Sequence, residues 1–201
     1  MPQEWGWPVA ERNRYLGDTD AIADETERLH FQGRDDVFTI KLVPIGLPKY
    51  RLSNGRTATR QSQYISTKDL DSDFFEADWE REEAQTAQHS ILLELIHGKG
   101  LEARFTKAGT RQTEPLILTS DGFVANGNRR LCAMRKCYYN NRIAYEHYSH
   151  VKVVQLPTAT ERDIVRLEAE LQIEEDIKDD YTWLDIRYIV RKAINEDGYT
   201  P

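Results

Sequence analysis

"SDGFVANGNRRLCAMRK", residues 120–136, is the stretch that decides the fold of this chain. Its pattern predicts a tight Asp-Gly turn, a short returning strand and then a helix. Gly127 stands where the strand gives way to the helix, and Arg129 and Arg130 follow it at once. The segment therefore predicts a hairpin that leads into a helix through a corner with little side-chain bulk and much positive charge.

Such a corner suits an anion, because the first turn of a helix presents backbone N–H groups without helical partners and a partial positive charge. Gly127 has no side chain to block a phosphate, and the two arginines offer fork-shaped donors. These features predict a phosphate site at Gly127, Asn128, Arg129 and Arg130. The same pattern also fits a plain Asn-Gly turn with solvated arginines, and the P-loop signature is absent. Local physics leaves both interpretations open.

Composition and charge restrict the class of protein. The chain has 201 residues, 39% of them hydrophobic and 30% charged, which predicts a packed core. A net charge of -7 argues against a surface that coats nucleic acid, although it allows a local basic pocket. Without a leader or a long apolar run, we expect a cytoplasmic protein with no membrane partner. Cys132 and Cys137 are then expected to be reduced, small core residues.

The order of predicted elements indicates an α+β domain, with a small mixed sheet, flanking helices and a C-terminal amphipathic helix. The apolar residues of 1–35 show no clear helical or strand period, so we interpret this segment as an N-terminal extension. The domain itself is predicted over 36–178, and 179–201 as a C-terminal helix that packs on the domain or on a partner. The predicted elements are a strand at 36–45, a loop at 46–61, a helix at 71–97, a hairpin at 116–125, a helix after 127, a strand at 150–156, and helices from about 160 and over 181–195.

The predicted loop at 46–61 is a second candidate site. It carries four basic residues and an Asn-Gly turn. If the loop folds over the glycine corner, Arg56 and Thr57 would close on a bound phosphate. A surface loop whose charges stay in water is the alternative.

The stretch "DGFVANGNRRLCAM" resembles the G-x-R-R-x-x-A box of the ParB N-terminal domain, whose fold is shared with sulfiredoxin. In this chain Gly127, Arg129, Arg130 and Ala133 occupy the box. "TIKLVPI", "ILLELIHGKG", "EPLIL" and "HVKVVQL" follow the order of that family's elements. The resemblance spans about residues 36–175 and includes a group of ParB-like bacterial proteins with "DGF-x-x-NGNRR". It implies a corner that cradles the phosphates of a nucleotide, ATP or CTP, with Mg²⁺.

The chain also departs from that family. Asn128 stands where sulfiredoxin has its catalytic cysteine, so sulfinic-acid reduction is not expected. Where ParB proteins carry an E-N-x-Q-R box, only Gln172 is kept. We expect Glu168 and Glu170 to be the catalytic carboxylates, with Glu170 holding the metal. A solvated acidic helix face is the alternative for both. The helix-turn-helix that follows in ParB is not evident, which disfavours site-specific DNA reading.

The resemblance implies a nucleotide-binding, magnesium-dependent NTPase that acts in DNA maintenance or phage defence. A metal-dependent DNA nuclease with non-specific DNA contacts is one alternative. A small-molecule kinase is another, with Asp121 or Glu114 as the general base. A non-catalytic module of the same fold, which binds a protein partner or a second copy of the chain, is the last.

Overall fold

The computed structural model describes residues 5–53, 55, 57–98, 101–107 and 109–180, without the side chains of residues 98 and 172–180. Within them the chain is a mixed α+β protein with six strands in one sheet and six α-helices, which confirms the predicted class. The strands are β1 (Ala21–Phe31), β2 (Arg34–Pro44), β3 (Lys49–Tyr50), β4 (Leu116–Leu118), β5 (Phe123–Asn126) and β6 (His150–Gln155). The helices are α1 (Val9–Asp18), α2 (Ala58–Lys68), α3 (Glu82–Gly98), α4 (Leu101–Thr106), α5 (Asn128–Asn140) and α6 (Glu161–Asp180), and a short 3-10 helix spans Glu146–Tyr148.

The sheet has the strand order β1-β2-β6-β4-β5-β3. Its antiparallel pairs are β1 with β2, β2 with β6, and β4 with β5, while β4 with β6 and β3 with β5 run parallel. The hairpin predicted before the glycine corner is confirmed as β4 and β5. Its turn depends on Gly122, which has φ +83° and whose amide donates to the Thr119 carbonyl at 3.0 Å.

The main core lies where apolar residues of the sheet meet α3 and α5. Val43 and Val151 face each other across β2 and β6, and both are fully buried. Helix α5 adds Leu131 and Met134 on one stripe, as the helical period predicts. Each such buried side chain contributes about 1.5–3 kcal/mol to the free energy of folding. This packing therefore fixes the position of α5 relative to β5.

Two local predictions are wrong in part. Residues 46–61 are not all loop, because β3 pairs with β5 and α2 begins at Ala58. The helix predicted over 71–97 begins only at Glu82. In the segment before it, the Asp78 side chain accepts a hydrogen bond from the Glu80 amide at 2.8 Å. Short polar side chains that bond to nearby backbone compete with the helix in this way.

Residues before 36 form two elements that the sequence pattern did not reveal, α1 and β1. Strand β1 is antiparallel to β2 and lies at the edge of the sheet. Trp5 is buried and stacks on His89 with ring centroids 3.7 Å apart. Strand β1 is therefore ordered by a local hairpin that turns at Gln32 and Gly33, whereas Trp5 is held by a residue far along the chain.

The chain divides into two compact units, residues 1–160 and 161–201. The first contains the sheet and helices α1 to α5, and the second contains α6. The helix predicted over 181–195 lies outside the described residues.

Candidate anion-binding site at the glycine corner

The corner between β5 and α5 requires glycine. Gly127 has φ +105°, in the left-handed region that disfavours other residues, and its carbonyl accepts from the Leu131 amide at 2.8 Å as α5 begins. A Cβ at this position would lie 2.6 Å from Cδ2 of Leu116, well inside normal contact. Glycine at this position therefore allows both the backbone turn and the packing of Leu116, from β4, against the corner.

Asn128, the first residue of α5, is buried. Its Nδ2 donates to the Val124 carbonyl at 3.1 Å, which ties the start of the helix back to β5. Its Oδ1 is buried and has no hydrogen-bond partner within the part of the chain that the structure describes. The side chain expected to help bind phosphate therefore fixes the geometry of the corner.

Arg130 is held in place by acceptors on both sides of the corner. Its Nη1 donates to a Glu114 carboxylate oxygen at 2.9 Å and to the Glu114 carbonyl at 3.2 Å, and its Nη2 donates to Asn126 Oδ1 at 2.7 Å. The Arg130 side chain is 18% exposed and that of Glu114 is 70% exposed. Arg129 is half-buried. Sequence reasoning missed the Glu114 contact, because no local pattern links residues 114 and 130.

The structure brings the basic segment beside the strand that leads into the corner. In the parallel pair of β3 and β5, Lys49 lies opposite Phe123 and Tyr50 opposite Val124. Lys49 is buried and pairs with Glu80 at 2.9 Å. Thr57 is buried at the start of α2 and accepts from Gln88 Nε2 at 3.2 Å.

The structure describes the two predicted carboxylates in the second unit and does not describe Arg56. Arg56 lies outside the described residues. Glu168 and Glu170 lie on α6 in the second unit, where Glu168 is buried and Glu170 accepts from Arg166 Nε at 2.9 Å. Among the described residues, no group of three His, Cys, Asp or Glu side chains could hold a metal ion.

A buried polar cluster, which the sequence pattern did not reveal, lies behind the corner. It consists of Tyr50, His89, Cys132 and Arg135, beside Trp5. Tyr50 Oη lies 2.8 Å from Nδ1 of His89, and the Cys132 sulfur lies 3.7 Å from the same nitrogen. Arg135 donates to the carbonyls of Ile45 and Pro48 at 3.0 and 2.6 Å, and its guanidinium lies 4.9 Å from the Tyr50 ring centroid.

Burial decides the protonation states in this cluster. It raises the pKa of the Cys132 thiol to about 12, against the opposing charge of Arg135, and also raises the pKa of Tyr50. Burial, followed by the charges of Arg135 and Lys136, lowers the pKa of His89 to about 3. Cys132 is thus a protonated thiol rather than a nucleophile. Both cysteines are free and buried, which confirms their prediction as core residues.

Comparisons of the chain with protein-family models, with curated proteins and with solved structures find no match. Within the described residues, no helix is both long enough and apolar enough to cross a membrane.

Proposed function

We propose that the chain binds a nucleoside triphosphate, ATP or CTP, at the glycine corner, as a ParB/sulfiredoxin-like protein of DNA maintenance or phage defence. The observation that carries this proposal is the conformation of Gly127, which starts α5 without a side chain and directly precedes Arg129 and Arg130. The first-turn amides of a helix have no helical partners and can donate to phosphate oxygens. The adjacent arginines add charge that matches them.

Each residue of the corner has a distinct part in this proposal. Gly127 supplies the left-handed backbone turn at which α5 begins, and buried Asn128 ties the first turn of α5 to β5. Arg129 and Arg130 donate to phosphate oxygens. Arg130 would exchange the carboxylate of Glu114 for phosphate, and this exchange costs little because Glu114 is mostly in water.

Hydrolysis would need a magnesium ion and a positioned water. The oxygens of Glu168 and Glu170 have the chemistry that Mg²⁺ prefers, and a bound ion would neutralise charge that develops on the phosphates. Glu170 would have to release Arg166 to hold the ion. Glu168 and Glu170 are therefore our candidates for the catalytic carboxylates, with Glu170 as the metal ligand.

Nucleotide binding without hydrolysis is the second candidate. The ion pair between Arg166 and Glu170 favours it, because the carboxylate expected to hold the metal already has a cationic partner on its own helix. In that case, the domain would recruit a protein partner or a second copy of the chain when nucleotide is bound.

Calorimetric titration with ATP, CTP, GTP and ADP, with and without Mg²⁺, tests this proposal. We expect saturable binding by at least one nucleotide, weakened at least about tenfold by Arg129→Ala, since a charged hydrogen bond contributes about 1.5–3 kcal/mol. Arg14→Ala, an exposed arginine on α1, is the charge-matched control. The absence of binding to the folded protein at millimolar nucleotide would refute the proposal. Phosphate release with Mg²⁺, compared between the wild type and Glu170→Gln, then separates hydrolysis from binding alone.

A further inference from the structure

A separate cleft of about 40 Å³ lies beside the glycine corner, between α4 and the segment 110–114. Three arginines and one carboxylate line it: Arg104, Arg111, Arg130 and Glu114. Three positive charges thus meet one negative charge in a protein whose net charge is -7. The cleft is therefore locally positive in a negatively charged protein, and a positive cleft attracts anions.

The volume of the cleft fits a small oxyanion. A site for one water needs about 10–15 Å³ of the same measure, so the cleft has room for about three waters. A phosphoryl group is of that order of size. A nucleobase is larger, so the cleft suits the charged end of a ligand.

The walls of the cleft are held in place before any ligand binds. Gln112 donates to the Lys152 carbonyl at 2.8 Å and accepts from the Lys152 amide at 2.7 Å, which fastens the segment to β6. Tyr148 Oη lies 2.9 Å from the Thr110 carbonyl and 3.3 Å from the Phe105 carbonyl, so one hydroxyl bridges both walls. Burial raises the pKa of Tyr148 to about 12, which keeps this hydroxyl as a donor.

Two of the three cations of the cleft are available to a ligand. Arg104 and Arg111 are exposed and form no hydrogen bond or ion pair with the described part of the chain. Arg130 is mostly buried, and its anionic partner Glu114 is 70% exposed. A carboxylate so close to water is readily displaced, since exposed ion pairs contribute little. Glu114 therefore occupies the position that an anionic ligand would take.

We propose that this cleft is a phosphoryl-binding site, in which Arg104 and Arg111 donate to the phosphoryl oxygens and Arg130 turns from Glu114 to the ligand. The phosphoryl group belongs either to free phosphate or to a phosphorylated small molecule such as a nucleotide. Arg130 belongs to both the cleft and the glycine corner, but the cleft can be tested by itself, because Arg104 and Arg111 lie outside that corner.

Calorimetric titration of the full chain with inorganic phosphate at low ionic strength tests this site. We expect Arg104→Ala and Arg111→Ala each to raise the Kd about fivefold, the change typical of one exposed charged contact. Glu114→Gln should lower the Kd about threefold, because it removes the competing carboxylate. Arg14→Ala should change nothing apart from a small effect of net charge. The substituted arginines are exposed, so the variants are expected to fold, and circular dichroism checks this.

The outcome separates this site from the corner and identifies the source of the phosphoryl group. Phosphate binding that weakens in Arg104→Ala and Arg111→Ala but not in Arg129→Ala supports the cleft, even if no nucleotide binds. If both arginine variants bind phosphate like Arg14→Ala, or if the wild type does not bind it at tens of millimolar, the cleft proposal is overturned while the corner stands on its own test. When the cleft variants also weaken ATP and ADP, the phosphoryl group belongs to the nucleotide; when they weaken inorganic phosphate alone, free phosphate is the ligand.

Discussion

Helix α5 carries polar side chains into two different environments. Cys132 and Arg135 point into the core beside Tyr50 and His89, where all four are buried. Arg130, less than two turns earlier, lines a cleft whose other arginines are exposed. In the buried cluster, the polar groups bond to one another and to backbone carbonyls, although Nη1 of Arg135 has no hydrogen-bond partner among the described residues. In the cleft, Arg104 and Arg111 are exposed and form no hydrogen bond or ion pair with the described part of the chain.

The difference shows how the same residue types take structural or binding roles. Burial raises the pKa of Cys132 and lowers that of His89, so both stay neutral and serve to fill and orient the core. The two exposed arginines of the cleft, Arg104 and Arg111, keep their charges in contact with water at little cost. Three predictions, from the largest effect to the smallest, test this contrast.

Removal of the buried cation should have the largest effect. Arg135→Ala leaves a cavity and orphans the carbonyls of Ile45 and Pro48, so we expect the free energy of unfolding to fall by about 3–4 kcal/mol. Urea denaturation followed by circular dichroism measures this. The matched control is Arg142→Ala, which removes an exposed arginine 5.5 Å from the Tyr138 ring and should lower the free energy by less than about 1 kcal/mol. Equal losses in the two variants would contradict a structural role for the buried cluster.

Acid should destabilise the protein through His89. Its folded pKa of about 3 lies below the unfolded value of about 6.5, so the stabilisation is complete above pH 6.5 and is lost as the pH falls from there toward 3. At pH 4.5 we expect the wild type to have lost roughly 2–3 kcal/mol more than His89→Gln has, both relative to pH 7. Unfolding curves at the two pH values give this difference. His147→Gln, at an exposed histidine, should behave like the wild type, and an identical acid loss in His89→Gln would refute the prediction.

The ion pair of the cleft should contribute least to stability. Glu114→Gln removes a carboxylate that is 70% exposed, so we expect the free energy of unfolding to change by about 0.5 kcal/mol or less. Thermal and urea unfolding at low and moderate salt measure it. A loss above about 2 kcal/mol would mean that Glu114 is a structural partner of Arg130 rather than a displaceable one.

The sequence predicted the elements whose signals are local. The Asp-Gly turn and the apolar runs on either side of it specify β4 and β5, and alternation specifies β2. The sequence pattern did not predict β3, because a strand of two residues is too short to show alternation. Strand β3 also pairs with β5, which lies more than 70 residues further along the chain. The predicted helix over 71–97 also began too early, because the Asp78 side chain bonds to the backbone before α3 begins.

For the candidate site, the sequence by itself determined the corner. Only glycine tolerates the backbone of residue 127, and the arginines follow it in the chain. The tertiary structure decided what surrounds those residues: Glu114 beside Arg130, the buried partners of Lys49 and Thr57, and the cleft with Arg104 and Arg111. Backbone conformation and helix starts depend on neighbours in sequence. Charge pairing and burial depend on which distant segments the fold brings together, and no local pattern encodes that.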